Sequence, residues 1–167
     1  MIQMLFSEVR VTSVADTPVL LLREANGVRH LAVWITAAGA NAILSALEET
    51  QSDHPSTHDL MIETLAVLDA VIESVHITDV VDGVYSAHLM VNGSVVTARV
   101  SDAVGLALRC GATILASKEL VDAVGLTSGA AGPDADLLGG SDEQLERFRA
   151  FLETIQPEDF DSGPPQP

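Results

Sequence analysis

Among 167 residues there is one cysteine, one tryptophan and one tyrosine, and only eight lysines and arginines stand against 24 acids. Each shortage excludes something. A lone Cys110 rules out an internal disulfide framework and suits a reducing cytoplasm, the expected compartment. The net charge of −16 excludes a broad electrostatic grip on nucleic acid, so phosphate chemistry would need a local basic spot or a bound cation. The acidity is general: residues 133–167 hold nine acids to two arginines, and residues 1–132 hold fifteen to six bases. The glycines form neither GxGxxG nor GxxxxGK[ST], so no phosphate loop is present. The start, MIQMLFSEVR, lacks a basic segment and reaches Glu8 too soon for a signal peptide. The uncharged stretch LAVWITAAGANAILSAL (31–47) is shorter than the roughly 20 residues of a spanning helix. Thr36, Gly39 and Asn41 interrupt it, and it reads as a buried strand running into a buried helix of a soluble protein.

What the chain does have is aliphatic residues. Hydrophobics make up 47% and aromatics 4%, so the core should be Val, Leu, Ile and Ala. Strands are expected over 4–14, 19–25 and 28–35, the last two joined at Asn26-Gly27. An Ala-rich helix capped by Thr36 follows, then a helix capped by Thr57 with a stripe of Leu60, Met61, Ile62, Leu65 and Leu68. Turns at Asp82-Gly83 and Asn92-Gly93 divide residues 71–100 into a three-stranded meander. Ser101-Asp102 caps a third helix that ends at Gly111, followed by a short strand and a short helix. The fold class is α+β: an antiparallel hairpin and three-stranded meander with inserted and C-terminal helices. The domain is placed at 1–126, a Gly-rich linker at 127–140, a terminal helix at 141–155 (capping box Ser141 with Gln144) and a disordered tail at 156–167.

The stretch HPSTHDLM (54–61) holds two histidines and an aspartate within six residues. Pro55 makes a continuous helix through His54 and His58 unfavourable, which weakens a two-histidine metal pair. His58 with Asp59 is either an acid/base pair or the polar opening of a helix, where the macrodipole alone favours an acid. Arg99, Ser101 and Asp102 place a guanidinium beside a helix N-terminus, a place for an anionic oxygen; capping alone accounts for the serine and aspartate. Two-residue loops in the meander put Asp79 opposite Ser86 and Ser86 opposite Arg99, with His88 between Ile77 and Thr97. That row is a structural network or one wall of a site. Cys110 reads as a small buried hydrophobe, Trp34 as core, and His30, His76 and His88 as partly exposed or satisfied sheet residues.

The sequence of motifs THDL, ITD…DG.Y.A.L and R.SDA..LALR.GA, in that order and spacing across residues 4–126, resembles the bifunctional nuclease domain family. The resemblance implies an α+β domain that often self-associates, most simply as a homodimer, with DNase and RNase activity; the net charge of −16 implies that DNA or RNA is bound weakly. It places functional weight on His58, Asp59, Asp79, Arg99, Ser101 and Asp102. In that reading His58 is the base and Arg99 the phosphoryl clamp, while Asp59, Asp79 and Asp102 are ligands for Mg²⁺ or Mn²⁺. Two positions depart from the family pattern: Gly39 where an acid is usual, and Val100 where a proline is usual. The competing reading from another class is a non-catalytic oligomeric ligand-binding or regulatory module. Convergence of the flagged residues in one open cleft separates the two.

Overall fold

The computed structural model describes residues 1–11, 17–48 and 54–127. They form one eight-stranded sheet with four helices. In chain order these are β1 (Ile2–Val11), β2 (Pro18–Glu24), β3 (Arg29–Trp34), α1 (Ala37–Ser45), α2 (Thr57–Val67), β4 (Ile72–Val81), β5 (Val84–Val91), β6 (Ser94–Ala98), α3 (Val100–Cys110), β7 (Thr113–Ala116), α4 (Lys118–Val124) and β8 (Leu126–Thr127). The strand order is β6-β5-β4-β7-β1-β2-β3-β8, antiparallel except for the β4–β7 pair. The α+β expectation holds. Leu126 and Thr127 pair with His30 and Arg29, so the sheet includes Thr127, the first residue of the linker expected at 127–140; the rest of that linker, the terminal helix and the tail lie outside the described residues.

Turn chemistry sets the hairpins. Asp82 and Gly83 have φ of 50° and 78°, and Asn92 and Gly93 have 46° and 74°. Both are two-residue turns with positive φ at each central residue, whose twist matches that of the flanking strands. Residues Ala25–Val28 connect β2 to β3, and the hairpin is closed by Arg29, whose Nε and Nη2 donate to Glu24 at 3.0 and 3.1 Å.

The meander departs from the expected register at two points in β4, between Ile72 and Ser74 and between Ile77 and Asp79. Asp79 does pair with Ser86, but a bulge between Ile77 and Asp79 shifts every pair beyond it, so His88 faces His76 rather than Ile77. The extra residue reverses the parity of β4. Val75 and Ile77 thereby join Ala87 and Leu89 among the buried residues under α3, instead of sharing the polar face. Hydrophobic burial chose the bulge over the regular ladder.

The sheet also curls. Tyr85 of β5 donates its hydroxyl to the Ala32 carbonyl of β3 at 3.1 Å, although four strands separate β5 from β3 in the order. Between the neighbouring strands β4 and β7, the Ser117 hydroxyl donates to Thr78 O at 2.8 Å while capping α4. Tyr85 crossing over β3 fits the burial of Val19 to Leu22 of β2, one continuous apolar run rather than an alternating one.

Several local expectations are corrected. The cap of α2 is Ser56, not Thr57. Helix α3 begins at Val100 with Arg99 in the cap position and no side-chain cap, so neither Ser101 nor Asp102 caps it. β6 ends at Ala98, and Arg99 therefore never completes the row with Asp79 and Ser86. Trp34, at the end of β3, is exposed rather than core, and Cys110 in the last turn of α3 is exposed rather than buried. The apolar stripe of α2 is not buried either: no residue of that helix is fully covered.

Helices α1 and α3 pack closely because Gly39 has no side chain. A Cβ there would stand 2.7 Å from both Cβ and Oγ of Ser101, which is buried. Serine cannot yield this space by swinging a flexible end away. Gly39→Ala is expected to destabilise by about 1–3 kcal/mol, the usual cost of overpacking. Combined with Ser101→Gly the two losses are expected to be less than additive, which a double-mutant cycle by denaturant unfolding measures. Strict additivity would remove this contact as the cause.

Candidate functional site

The site grows from the seam between α2 and α3. Ser56 accepts the Asp59 amide, and the Asp59 carboxylate accepts the Ser56 amide at 3.2 Å and its hydroxyl, a reciprocal cap. Asp59 also accepts Nε of Arg109 at 2.7 Å. Arg109 is 7% exposed in its side chain. Its Nη1 donates to the carbonyls of Ala42 (2.8 Å) and Gly105 (2.9 Å), and its Nη2 to Ser45 Oγ (2.9 Å). One guanidinium thus ties α1, α2 and α3 together. The Ser56 hydroxyl holds the Asp59 carboxyl below the usual aspartate range, with Arg109 adding to the effect and partial desolvation opposing it.

With α2 held in this way, His58 faces α3. Its Nε2 lies 3.5 Å from Asp102 Oδ1, and its ring edge would be 3.6 Å from a Cβ at Gly105. Arg99 then closes on the same carboxylate, Nε to Oδ2 at 2.6 Å and Nη2 to Oδ1 at 3.0 Å, a two-pronged contact. That hydrogen bond raises the Arg99 pKa further. The three side chains stand at a cavity of about 520 Å³ between α2, α3 and the β5–β6 hairpin, lined below by Met61, Leu65, Leu89, Val91, Val96 and Leu106. Chemically, an imidazole oriented by a carboxylate can move a proton, and an adjacent guanidinium can hold an anionic oxygen.

The structure therefore brings together His58, Arg99 and Asp102 of the sequence candidates, and separates the rest. Asp59 is engaged by Ser56 and Arg109. Ser101 is buried against Gly39. Asp79 is exposed, its carboxylate accepting the Val80 amide at 2.7 Å. Asp59, Asp79 and Asp102 do not converge, and among the described residues no three His, Cys, Asp or Glu side chains form a cluster able to hold a metal. Asp102, with His58 beside it, is the carboxylate at the cavity. Sequence reading missed Arg109. Its signal was there: Asp102, Leu106 and Arg109 fall at i, i+4 and i+7 on one helical stripe, which marks them as facing a common neighbour.

An α+β domain with an imidazole–carboxylate–guanidinium cluster over a single apolar cavity defines a class of small site-bearing domain. Comparison with known proteins makes that class specific. The chain belongs to the bifunctional nuclease domain family, whose profile matches residues 20–128. It is also similar to two Mycobacterium tuberculosis proteins, both named as uncharacterized, Rv1829 of strain ATCC 25618 / H37Rv and MT1877 of strain CDC 1551 / Oshkosh. Each is 34% identical over 153 residues, covering 91% of this chain and 93% of the relative. Among the described residues no helix is long and apolar enough to cross a membrane.

Because folding lowers the pKa of Asp59, its contribution to stability is present in full above the unfolded value, about pH 4. It is lost as pH falls through the folded value. Melting temperature followed from pH 6 to pH 3 is expected to fall more steeply for the wild type than for Asp59→Asn, so that the gap between them narrows in acid. A constant gap would show that the charge of Asp59 is not what matters. Arg109→Leu leaves two carbonyls and a carboxylate without their donor and is expected to cost about 3 kcal/mol.

Proposed function

We propose that this domain is a nuclease that cleaves phosphodiester bonds of DNA or RNA where His58, Asp102 and Arg99 meet. The observation that carries the reading is the 3.5 Å approach of His58 Nε2 to an Asp102 carboxylate that Arg99 also grips; membership of the nuclease family supports it. His58 accepts the proton of the attacking water, and Asp102 orients the imidazole and stabilises its cation. Arg99 offers its outer N–H groups to the phosphoryl oxygens as charge develops. A Mg²⁺ or Mn²⁺ ion would be held by Asp102, the carboxylate at the cavity, in place of its contact with Arg99. It would supply charge neutralisation at an otherwise acidic surface. The nucleic acid is bound through few contacts, with affinity falling only shallowly as salt rises. The lone cysteine suits a cytoplasmic setting.

The outer face of α2 supports a homodimer. Val67 is 83% and Leu68 69% exposed; Leu60, two turns earlier in α2, and Val71, just beyond the end of the helix, are also exposed. β6, at one end of the strand order, exposes Val95. Apolar surface gathered on one helix, near an unpaired sheet edge, suits a second copy related by a twofold axis. Light scattering is expected to give twice the chain mass, and the double change Val67→Glu with Leu68→Glu to give the single mass. A wild-type monomer at high concentration would end this part of the proposal.

The cleavage reading is tested with a labelled single-stranded substrate, with and without a chelator. His58→Ala is expected to lower kcat at least about a hundredfold. Arg99→Ala is expected to lower kcat more than it raises KM, because a clamp on developing charge acts in the transition state. Chelation is expected to abolish turnover. Equal cleavage by all three proteins would assign the activity to a contaminant or to another surface. If none cleaves with any cation, the ligand-binding module becomes the better reading, one favoured by the aliphatic lining of the cavity.

A further inference from the structure

We propose that the cavity beneath α2 binds one unbranched aliphatic chain ending in an anionic group, the chain lying among the aliphatic side chains and the anion meeting Arg99. The inference concerns the depth of the cavity and does not require the cleavage reading.

The lining decides the class of ligand. Leu89 and Leu106 are buried, Met61 and Val96 are half exposed, and Leu65 and Val91 lie between. No Phe, Tyr or Trp side chain lines the space; its polar side chains are those of Thr57, His58, Thr97, Arg99 and Asp102. A nucleobase is held by stacking on aromatic faces and by hydrogen bonds to its ring edge. An aliphatic wall offers neither, and water in such a place finds too few partners to be held well. A saturated chain needs neither stacking nor hydrogen bonds. Taking a methylene as about the size of a water, roughly 30 Å³, the space of about 520 Å³ admits a chain of roughly ten to fourteen carbons with room to spare.

The polar cluster decides the head group. Arg99 is 72% exposed and commits Nε and Nη2 to Asp102. Among the described residues no acceptor engages its Nη1. Asp102 is the negative group at that end, and Arg99 offsets it with two of its N–H groups while Nη1 stays available. A single anionic head, a carboxylate or a phosphate ester, matches this arrangement; a bare alcohol does not use the guanidinium.

The test is calorimetric titration of the full chain with octanoate, decanoate and dodecanoate below their micelle concentrations, with decyl phosphate, decanol and 5′-AMP alongside. Affinity is expected to rise about threefold to fourfold per added methylene, and decanol to bind about tenfold more weakly than decanoate. The stronger of decanoate and decyl phosphate identifies the head group as a free acid or a phosphate ester. Arg99→Gln is expected to bring decanoate down to the affinity of decanol. Met61→Trp and Val96→Trp fill the space from half-exposed positions, and are expected to abolish binding while leaving the thermal transition in place. Several results would overturn the proposal: no binding at any chain length, an affinity independent of length, or binding that survives both tryptophan variants. So would 5′-AMP binding as well as decanoate. Binding only in the Val67→Glu, Leu68→Glu protein would show that a second copy, not a ligand, covers the cavity.

Discussion

The Arg109 guanidinium is the interaction on which the site depends. Helix α2 buries none of its residues fully, so hydrophobic packing alone positions it weakly. Arg109 supplies what is missing: it reaches from α3 to the cap of α2 through Asp59 and to the end of α1 through Ala42 and Ser45. A nearly buried cation surrounded by carbonyls and one carboxylate has few alternative arrangements, because moving any partner leaves a desolvated donor unmatched. His58, adjacent in sequence to Asp59, is therefore presented to Asp102 by a contact made one residue away.

The sheet contributes the other wall. The bulge at the Ile77–Asp79 step turns Val75 and Ile77 into the core, which seats α3 on β4 and β5. The end of β6 then delivers Arg99 directly into the first turn of that helix. A guanidinium at the cap position cannot cap as a serine does, and here it turns to the third residue beyond it, Asp102. The same carboxylate favours the positive end of the α3 dipole. One aspartate thus serves helix, arginine and histidine together, and its removal would disturb all three.

Gly39 sets how closely α1 and α3 pack. With no side chain there, α1 approaches Ser101 to a distance that excludes any side chain. The serine flagged for function is in consequence a packing residue, covered by α1. The chemistry available at this end of the fold rests on the α2–α3 seam instead.

Much was legible locally. The turns at Asp82-Gly83 and Asn92-Gly93, the Thr36 cap, the Gly111 stop and the short β7–α4 unit follow from residues a few positions apart, where backbone sterics and single hydrogen bonds decide. The α+β class and three members of the candidate site, His58, Arg99 and Asp102, were legible through motif order. Other features were not. Burial reset the register at the bulge, and it left Trp34 and Cys110 exposed because their exposure depends on what packs over each strand or helix end. Asp59 and Asp102 look alike in the chain, each an acid in the first turn of a helix. Only the crossing of α2 over α3 gives one to a buried arginine and the other to the mouth of a cavity. Sequence by itself determined which short-range structures could form. Tertiary structure decided which charged groups meet, since contacts between residues 50 positions apart, such as Asp59 with Arg109, exist only once three helices share one face.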